Sequence, residues 1–385
     1  MKQRLNRVAP AVFIIVSAAL AWLAYSYGGM DFNVYYAAAR VSLQGGNPYD
    51  FQQLAPQILN SAGRLNNPYY YAPWFTWSVL PFALFPYRVA RVLWALAHFL
   101  LWMFALVNLS KLIDYPKSGW KKWGMWLLVT FVFAWSTWGA EQVGVLILFL
   151  FTRILLAAEK KNWTAVGILL ALTLFKPNIA ALPVGLIALW LLLRQRTWKP
   201  LLVMSATLAL LLSLALILDP KFYLPLLAPD KIQGLSYTLD SSGGLEVKRY
   251  TATLSDFLRV YGIEGGAATA IYALVVSLGI AAAALGMYSS ATLVEWTAIA
   301  IAINFAVIPY ALFYDYPALV IPLFYGNDLL LKQKGLRYAA NALLVVSLFI
   351  GRIIPYRYWM VVILSALLTV GYYQRFSKIA ASSER

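Results

Sequence analysis

Residues 70–86, Tyr70-Tyr71-Ala72-Pro73-Trp74-Phe75-Thr76-Trp77-Ser78-Val79-Leu80-Pro81-Phe82-Ala83-Leu84-Phe85-Pro86, decide the fold, because whether they cross a membrane sets the topology of everything around them. The run is apolar enough for a span, yet it carries three prolines, and a proline inside a helix removes a backbone hydrogen bond and crowds the preceding turn. A second apolar run, residues 92–110, follows directly and is closed by Lys111, Lys117, Lys121 and Lys122. Under the positive-inside rule that basic cluster is cytoplasmic. Between it and the outer loop that follows the first span, parity allows one crossing. Residues 92–110 are therefore expected to be the second span, and 70–86 a juxtamembrane or re-entrant helix on the outer side. This reading leaves Arg88 and Arg91 on the outer side, against the charge rule.

The composition supports a membrane setting. Of 385 residues 62% are hydrophobic and 12% charged, far from the balance of a soluble domain. Apolar runs of about 14 to 22 residues recur along nearly the whole length, close to the roughly 20 needed to cross a bilayer. The net charge of +16 gathers in clusters: Lys2/Arg4/Arg7, the Lys111–Lys122 group, Lys160/Lys161, Arg194/Arg196/Lys199, Lys332/Lys334/Arg337 and Arg375/Lys378. This pattern fits cytoplasmic loops rather than nucleic-acid binding. Pairing the spans between clusters gives an all-α polytopic membrane protein of about 12 spans with both termini cytoplasmic. The first apolar run, ending near Tyr27, is too long for a signal-peptide core and reads as an uncleaved helix. Residues 1–385 form one membrane domain with two outer segments, 28–88 and 219–266. In the second, Leu254, Phe257, Leu258 and Tyr261 fall at helical spacing and suggest an amphipathic helix lying on the membrane. Cysteine is absent, which excludes disulfides, thiolate metal sites and a cysteine nucleophile.

Asp31 is a lone carboxylate just after the first span. It opens a helical pattern to Leu43, closed by Gly45-Gly46 and the turn Asn47-Pro48-Tyr49-Asp50. Two readings stand: an N-cap that accepts a backbone N–H, or a catalytic base. Lys176 follows the run Asn162 to Phe175, a helix of about 21 Å, short of the roughly 30 Å hydrocarbon core. It should sit recessed in the outer half of the membrane, facing a phosphate or snorkelling to the headgroups. Glu141-Gln142 and Tyr314-Asp315 end other helices at the outer face, where they could cap a turn or bond sugar hydroxyls. His98, within a span, is expected to make a structural interhelical hydrogen bond. No phosphate-cradling glycine loop, zinc-ligand spacing or Ser-His-Asp pattern is present, and no cofactor or metal site is expected.

Residues 31–50, Asp-Phe-Asn-Val-Tyr-Tyr-Ala-Ala-Ala-Arg through Gly-Gly-Asn-Pro-Tyr-Asp, resemble the first outer loop of glycosyltransferase family 87, GT-C-type membrane enzymes that include polyprenyl-phosphate-mannose-dependent mannosyltransferases. Tyr69-Tyr70-Tyr71-Ala72-Pro73, Lys176-Pro177 and Ile308-Pro309 to Asp315-Tyr316 are similar to that family in the same order. The resemblance implies a GT-C-like bundle in which the segment before span two is an outer juxtamembrane feature. It also implies that Asp31 matches the catalytic aspartate. Where such proteins often show Gly-Gln-x-Asn after the third span, this chain has Glu141-Gln142-Val143-Gly144.

The function expected is an inverting glycosyltransferase in the cell membrane. It would move a hexose, mannose by the resemblance, from a polyprenyl-phosphate donor to a lipid or glycan acceptor at the outer face. Asp31 would be the base. Lys176, with Arg40 and Arg352, would hold the donor phosphate, and Tyr35, Glu141, Gln142, Tyr314 and Asp315 the sugar or acceptor. The rival is a transporter or lipid flippase, whose intramembrane charges would line a path. No repeated halves are visible, and the long segment 28–88 favours a site on one face.

Overall fold

The computed structural model describes residues 16, 18–19, 22–26, 31–63, 68–113, 130–131, 133–134, 137–227, 252–289, 292–330, 334–350 and 358–383. Among the described residues the chain is all-helical, with no strands. Of the expected basic clusters, Lys2, Arg4, Arg7, Lys117, Lys121, Lys122 and Lys332 lie outside the described residues, as does the middle of the expected loop 219–266.

The segment after Asp31 folds as the spacing predicts. Helix α1 (Phe32–Leu43) ends where Gly45 takes φ +75, a left-handed turn that a glycine adopts without steric cost. The Asn47 side chain then accepts from the Tyr49 N–H at 2.9 Å, and Asp50 caps α2 (Phe51–Ala62) by accepting from Gln52 N–H at 2.9 Å. Helix α2 packs on α1 and buries Leu54 and Ile58, one turn apart.

Helix α3 (Pro73–Ala83) has 11 residues, starts on Pro73 and packs against α1. At 1.5 Å per residue it is about 16 Å long, too short to cross a roughly 30 Å core. Helix α4 (Tyr87–Leu112) begins just after Pro86 and has 26 residues. The helix is thus longer than the expected span 92–110, and Arg88 and Arg91 lie in its first two turns rather than ahead of it. Pro86 sets that start, since its fixed φ makes it a natural helix boundary.

Helices α5 (Gly144–Glu159), α6 (Trp163–Thr173), α7 (Pro177–Leu193) and α8 (Lys199–Leu218) follow. Asn162 caps α6 by accepting from Ala165 N–H at 3.1 Å, and Pro177 opens α7, so Lys176 stands in the turn between two short helices. After α9 (Leu254–Val260) and α10 (Gly265–Ser289), α11 (Leu293–Val307) is buried along almost its whole length. A 3-10 helix, Phe313–Leu319, leads into α12 (Val320–Leu329), and α13 (Lys334–Ile350) and α14 (Tyr358–Ser383) complete the described elements. The expected amphipathic helix forms as α9, but it turns its apolar face into the protein. Leu254 and Leu258 are buried, and the Phe257 ring packs on Tyr358 and Trp359 with centroids 5.4 and 5.1 Å apart. Those partners come from the start of α14, a hundred residues downstream, where local periodicity carries no information.

Three described helices, α4, α8 and α10, are long and apolar enough to cross a membrane, and α6, α7, α11 and the Trp359–Tyr372 part of α14 are shorter apolar helices. In α8 only Pro200 and Ala215 are buried, and in α10 only Gly286. Ile217 is 74% exposed, Leu218 70% and Leu285 69%, large apolar side chains on helices with almost no buried residue, which lipid would cover and water would not favour. This is a membrane protein.

Candidate functional site

The turn that precedes α5 is the point where distant parts of the chain meet. Residues 137–140 end a helix, Gln142 N–H closes back on Thr137 C=O at 2.8 Å, and Glu141 between them has φ +57. Three segments are tied to this turn. Asp31 N–H donates to Ala140 C=O at 3.2 Å, Thr137 Oγ1 donates to Tyr314 C=O at 2.7 Å, and Trp94 Nε1 donates to Glu141 C=O at 3.1 Å. The start of α1, the 3-10 helix and α4 are thereby registered on one six-residue platform, 137–142. Gly144 permits the approach of the 3-10 helix, because a Cβ there would stand 2.4 Å from Tyr314 O and 2.8 Å from Pro317 Cδ.

Gln142 is the centre of a side-chain network built on that platform. Its Nε2 donates to Asp31 Oδ2 at 2.6 Å, while its Oε1 accepts from Lys176 Nζ at 3.1 Å and from Tyr71 Oη at 2.9 Å. The partners on both sides fix the orientation of the amide: an ammonium can only donate and a carboxylate accepts. Lys176 Nζ also pairs with Asp315 Oδ1 at 2.6 Å, and Asp315 Oδ2 accepts from Leu312 N–H at 3.1 Å. Tyr35 Oη and Tyr71 Oη are 2.7 Å apart. Lys176 lies 5.6 Å from the Tyr71 ring centroid and 5.3 Å from that of Tyr314, within cation–π reach of both. Burial pushes the Tyr35, Tyr71 and Tyr314 phenols above the ordinary tyrosine range, and the Asp31 charge adds to the rise. They stay protonated and present neutral hydroxyls around the two carboxylates.

Asp31 occupies the N-cap position of α1, but its side chain makes no capping hydrogen bond. Its Oδ2 faces Gln142 instead, which favours a role in the network over the cap. Lys176 is buried and held by Asp315 and Gln142, so it does not snorkel. Tyr35, Gln142, Tyr314 and Asp315 join these two. Glu141 is part of the same turn, but Arg91 holds its carboxylate, with Nη2 at 2.7 Å and Nε at 2.8 Å from Oε1. Arg40 is not brought in: nine residues along α1 from Asp31, or about 13 Å, its Nη1 reaches Ala83 C=O at 3.4 Å. Arg352 lies outside the described residues. His98 bonds within its own helix, Nδ1 3.0 Å from Trp94 C=O, rather than to a neighbouring helix, and its ring lies tilted against the Trp94 indole one turn away.

Two members were missing from the sequence reading. Tyr71 is legible only as part of an aromatic run, and nothing local marks which of three successive tyrosines reaches Gln142. Arg91 did leave a signal. An arginine stranded on the wrong side of a charge-rule topology calls for a buried carboxylate partner, and Glu141 is that partner.

The fold and the site define a membrane protein, all-helical among the described residues, in which two carboxylates, an ammonium and neutral phenols meet in one partly buried cluster. Residues 69–312, well over half of the chain, match the family model of glycosyltransferase family 87. The chain belongs to that family, and the protein is a glycosyltransferase that acts on a sugar donor and an acceptor. The match decides between glycosyl transfer and the rival transporter or flippase in favour of the first. It covers Tyr71, Glu141, Gln142 and Lys176, while Asp31 and Asp315 reach the same cluster from either side of it. No curated protein and no solved structure matches the chain.

Proposed function

We propose that this glycosyltransferase is an inverting enzyme that moves a hexose, mannose by family resemblance, from a polyprenyl-phosphate donor to a lipid or glycan acceptor at the outer face of the cell membrane. The reading of about 12 spans with cytoplasmic termini, which rests on the charge pattern, and the GT-C-like architecture, which rests on the family resemblance, belong to the same proposal. The observation that carries it is the bond from Gln142 Nε2 to Asp31 Oδ2, which turns the carboxylate away from its helix and toward the cluster that holds Lys176.

In this reading the acceptor hydroxyl oxygen attacks the anomeric carbon and its proton passes to Asp31. The bond from that carbon to the phosphate oxygen breaks, its electron pair leaves with the polyprenyl phosphate, and the anomeric configuration inverts. A base must stand within hydrogen-bond reach of the attacking oxygen. Lys176 offsets the charge that grows on the leaving phosphate. Tyr35, Tyr314, Gln142 and Asp315 supply hydroxyl, amide and carboxylate partners for sugar or acceptor. Of the two described cations expected to hold phosphate, Lys176 and Arg40, Lys176 is the one beside Gln142 and Asp315.

The test is incubation of purified protein with radiolabelled polyprenyl-phosphate mannose and membrane lipid extract. Label should appear in a new product with wild-type protein. Asp31→Asn should lower turnover by about 100-fold or more, the usual worth of a general base, with folding intact because Asn also suits an N-cap. Retention of more than about a tenth of wild-type turnover would remove Asp31 as the base.

A further inference from the structure

The reaction as proposed makes no use of the buried ion pair Arg91–Glu141. Arg91 is 5% exposed and Glu141 7%, and both the Nε and the Nη2 of the guanidinium grip a single carboxylate oxygen. A buried pair is weak evidence for stability, since well-packed apolar residues in its place are often neutral or better. Glu141 also sits at φ +57, where an L side chain is strained and a glycine would not be. Two costs fall on one residue, which calls for a return other than stability.

The return is geometric. Glu141 is flanked by two residues that bond to Asp31: Ala140, whose carbonyl accepts from Asp31 N–H at 3.2 Å, and Gln142, whose amide donates to Asp31 Oδ2 at 2.6 Å. Arg91 holds the Glu141 side chain while Trp94, three residues further along α4, holds its carbonyl. The residue is therefore clamped at both ends to one face of a 26-residue helix. Rotation of the turn about its left-handed residue would swing the Gln142 amide off Asp31 and Lys176 together.

We propose that Arg91 and Glu141 are a positioning pair. By clamping the 140–142 turn to α4, they hold the Gln142 amide against Asp31 and so aim the base, without touching substrate. Glu141 then belongs to the support of the site rather than to the sugar or acceptor contacts expected from the sequence. The proposal rests on the reading of Asp31 as the base. Its signature is a loss in turnover with donor affinity kept, because orientation at the reacting centre is expressed in kcat and small misplacements there cost up to about 100-fold.

The experiment compares three variants of the full chain with wild type, as detergent-purified monodisperse protein, in the labelled transfer assay. Arg91→Met with Glu141→Gly removes both buried charges at once and gives the left-handed position the residue that suits it, so the turn can fold without the clamp. Expected is a fall in kcat of about tenfold or more with donor KM within about twofold. Arg91→Lys keeps the charge but cannot make the two-point grip, and should lose about threefold in kcat with KM unchanged. It supplies the decision if the double variant does not yield folded protein. Asp31→Asn is the third variant. If Asp31→Asn is inactive while the double variant, or Arg91→Lys in its place, keeps wild-type kcat, the positioning pair is overturned and the base assignment stands. If Asp31→Asn is active, the base assignment fails and takes the pair's role with it.

Discussion

Lys176–Asp315 and Arg91–Glu141 are both buried ion pairs, with N···O separations of 2.6 and 2.7 Å, and both meet at the Gln142 turn, yet they differ in what each cation has left to give. Arg91 puts two nitrogens of its planar fork on one oxygen of Glu141, the residue before Gln142 in the turn. Lys176 is a compact point charge with three rotatable donors. Asp315 and the Gln142 side chain take two of the contacts, and two tyrosine faces line the rest of its surroundings. An ammonium of that kind can turn to a phosphate without leaving its pocket. The comparison teaches that a buried cation in this protein is assigned by the geometry of its partners, since burial alone does not distinguish the two.

The largest effect that separates the pairs is expected at Lys176. Lys176→Gln keeps length and polarity but removes the charge, so turnover should fall by about 100- to 1000-fold, the worth of one preorganised electrostatic contact to developing charge. Donor affinity should weaken with it, whereas the clamp variants leave it unchanged. Lys176→Arg should retain part of the activity, although its fork geometry differs from an ammonium. Because the substitution leaves Asp315 buried beside a neutral group, thermal stability must be measured alongside, and rates counted per folded protein. Wild-type donor affinity and turnover in Lys176→Gln would make the Lys176 pair structural and erase the contrast.

A smaller effect is expected at Gly144, which sharpens the comparison by moving one pair and sparing the other. A methyl group there would meet the carbonyl of Tyr314 and the ring of Pro317, so the 3-10 helix must retreat and take Asp315 with it. Gly144→Ala should cost about 1–3 kcal/mol of stability, the range for overpacking, and about tenfold in turnover through the shifted Lys176–Asp315 pair. Unchanged activity in the folded variant would mean that the 3-10 helix can move without consequence for the site.

The sequence was most informative where chemistry is local. The Asp31–Leu43 helix, its Gly45-Gly46 stop and the short α3 follow from helix-spacing, glycine and proline rules. Asp31 and Lys176 stood out because a charge near a membrane span is costly. The partners were not legible, because each lies far off in sequence: Gln142 comes from 111 residues beyond Asp31, and Asp315 from 139 beyond Lys176. Helix α4 starts ahead of the apolar run 92–110 for a related reason, since the Glu141 carboxylate that pairs with the buried Arg91 lies 50 residues away in sequence. The inward turn of α9 likewise depended on rings from α14.

The smallest effect is expected at Arg40, and it is the prediction most able to break the comparison. Arg40 was a third candidate for the donor phosphate, and it shares α1 with Asp31. Its guanidinium is half-buried, in the last turn of that helix, with a long 3.4 Å contact to the Ala83 carbonyl. A cation there favours the negative end of the helix dipole by about 0.3–1 kcal/mol. That is a stability term with no path to the reacting atoms about 13 Å away. Arg40→Gln should therefore change stability by no more than about 1 kcal/mol and leave donor KM and kcat within about twofold, less than half a kcal/mol on the rate scale. A loss as large as that of Lys176→Gln would place the phosphate at the far end of α1. Lys176 would then have to be read as Arg91 is read here, as a support for Gln142 rather than a contact to the donor.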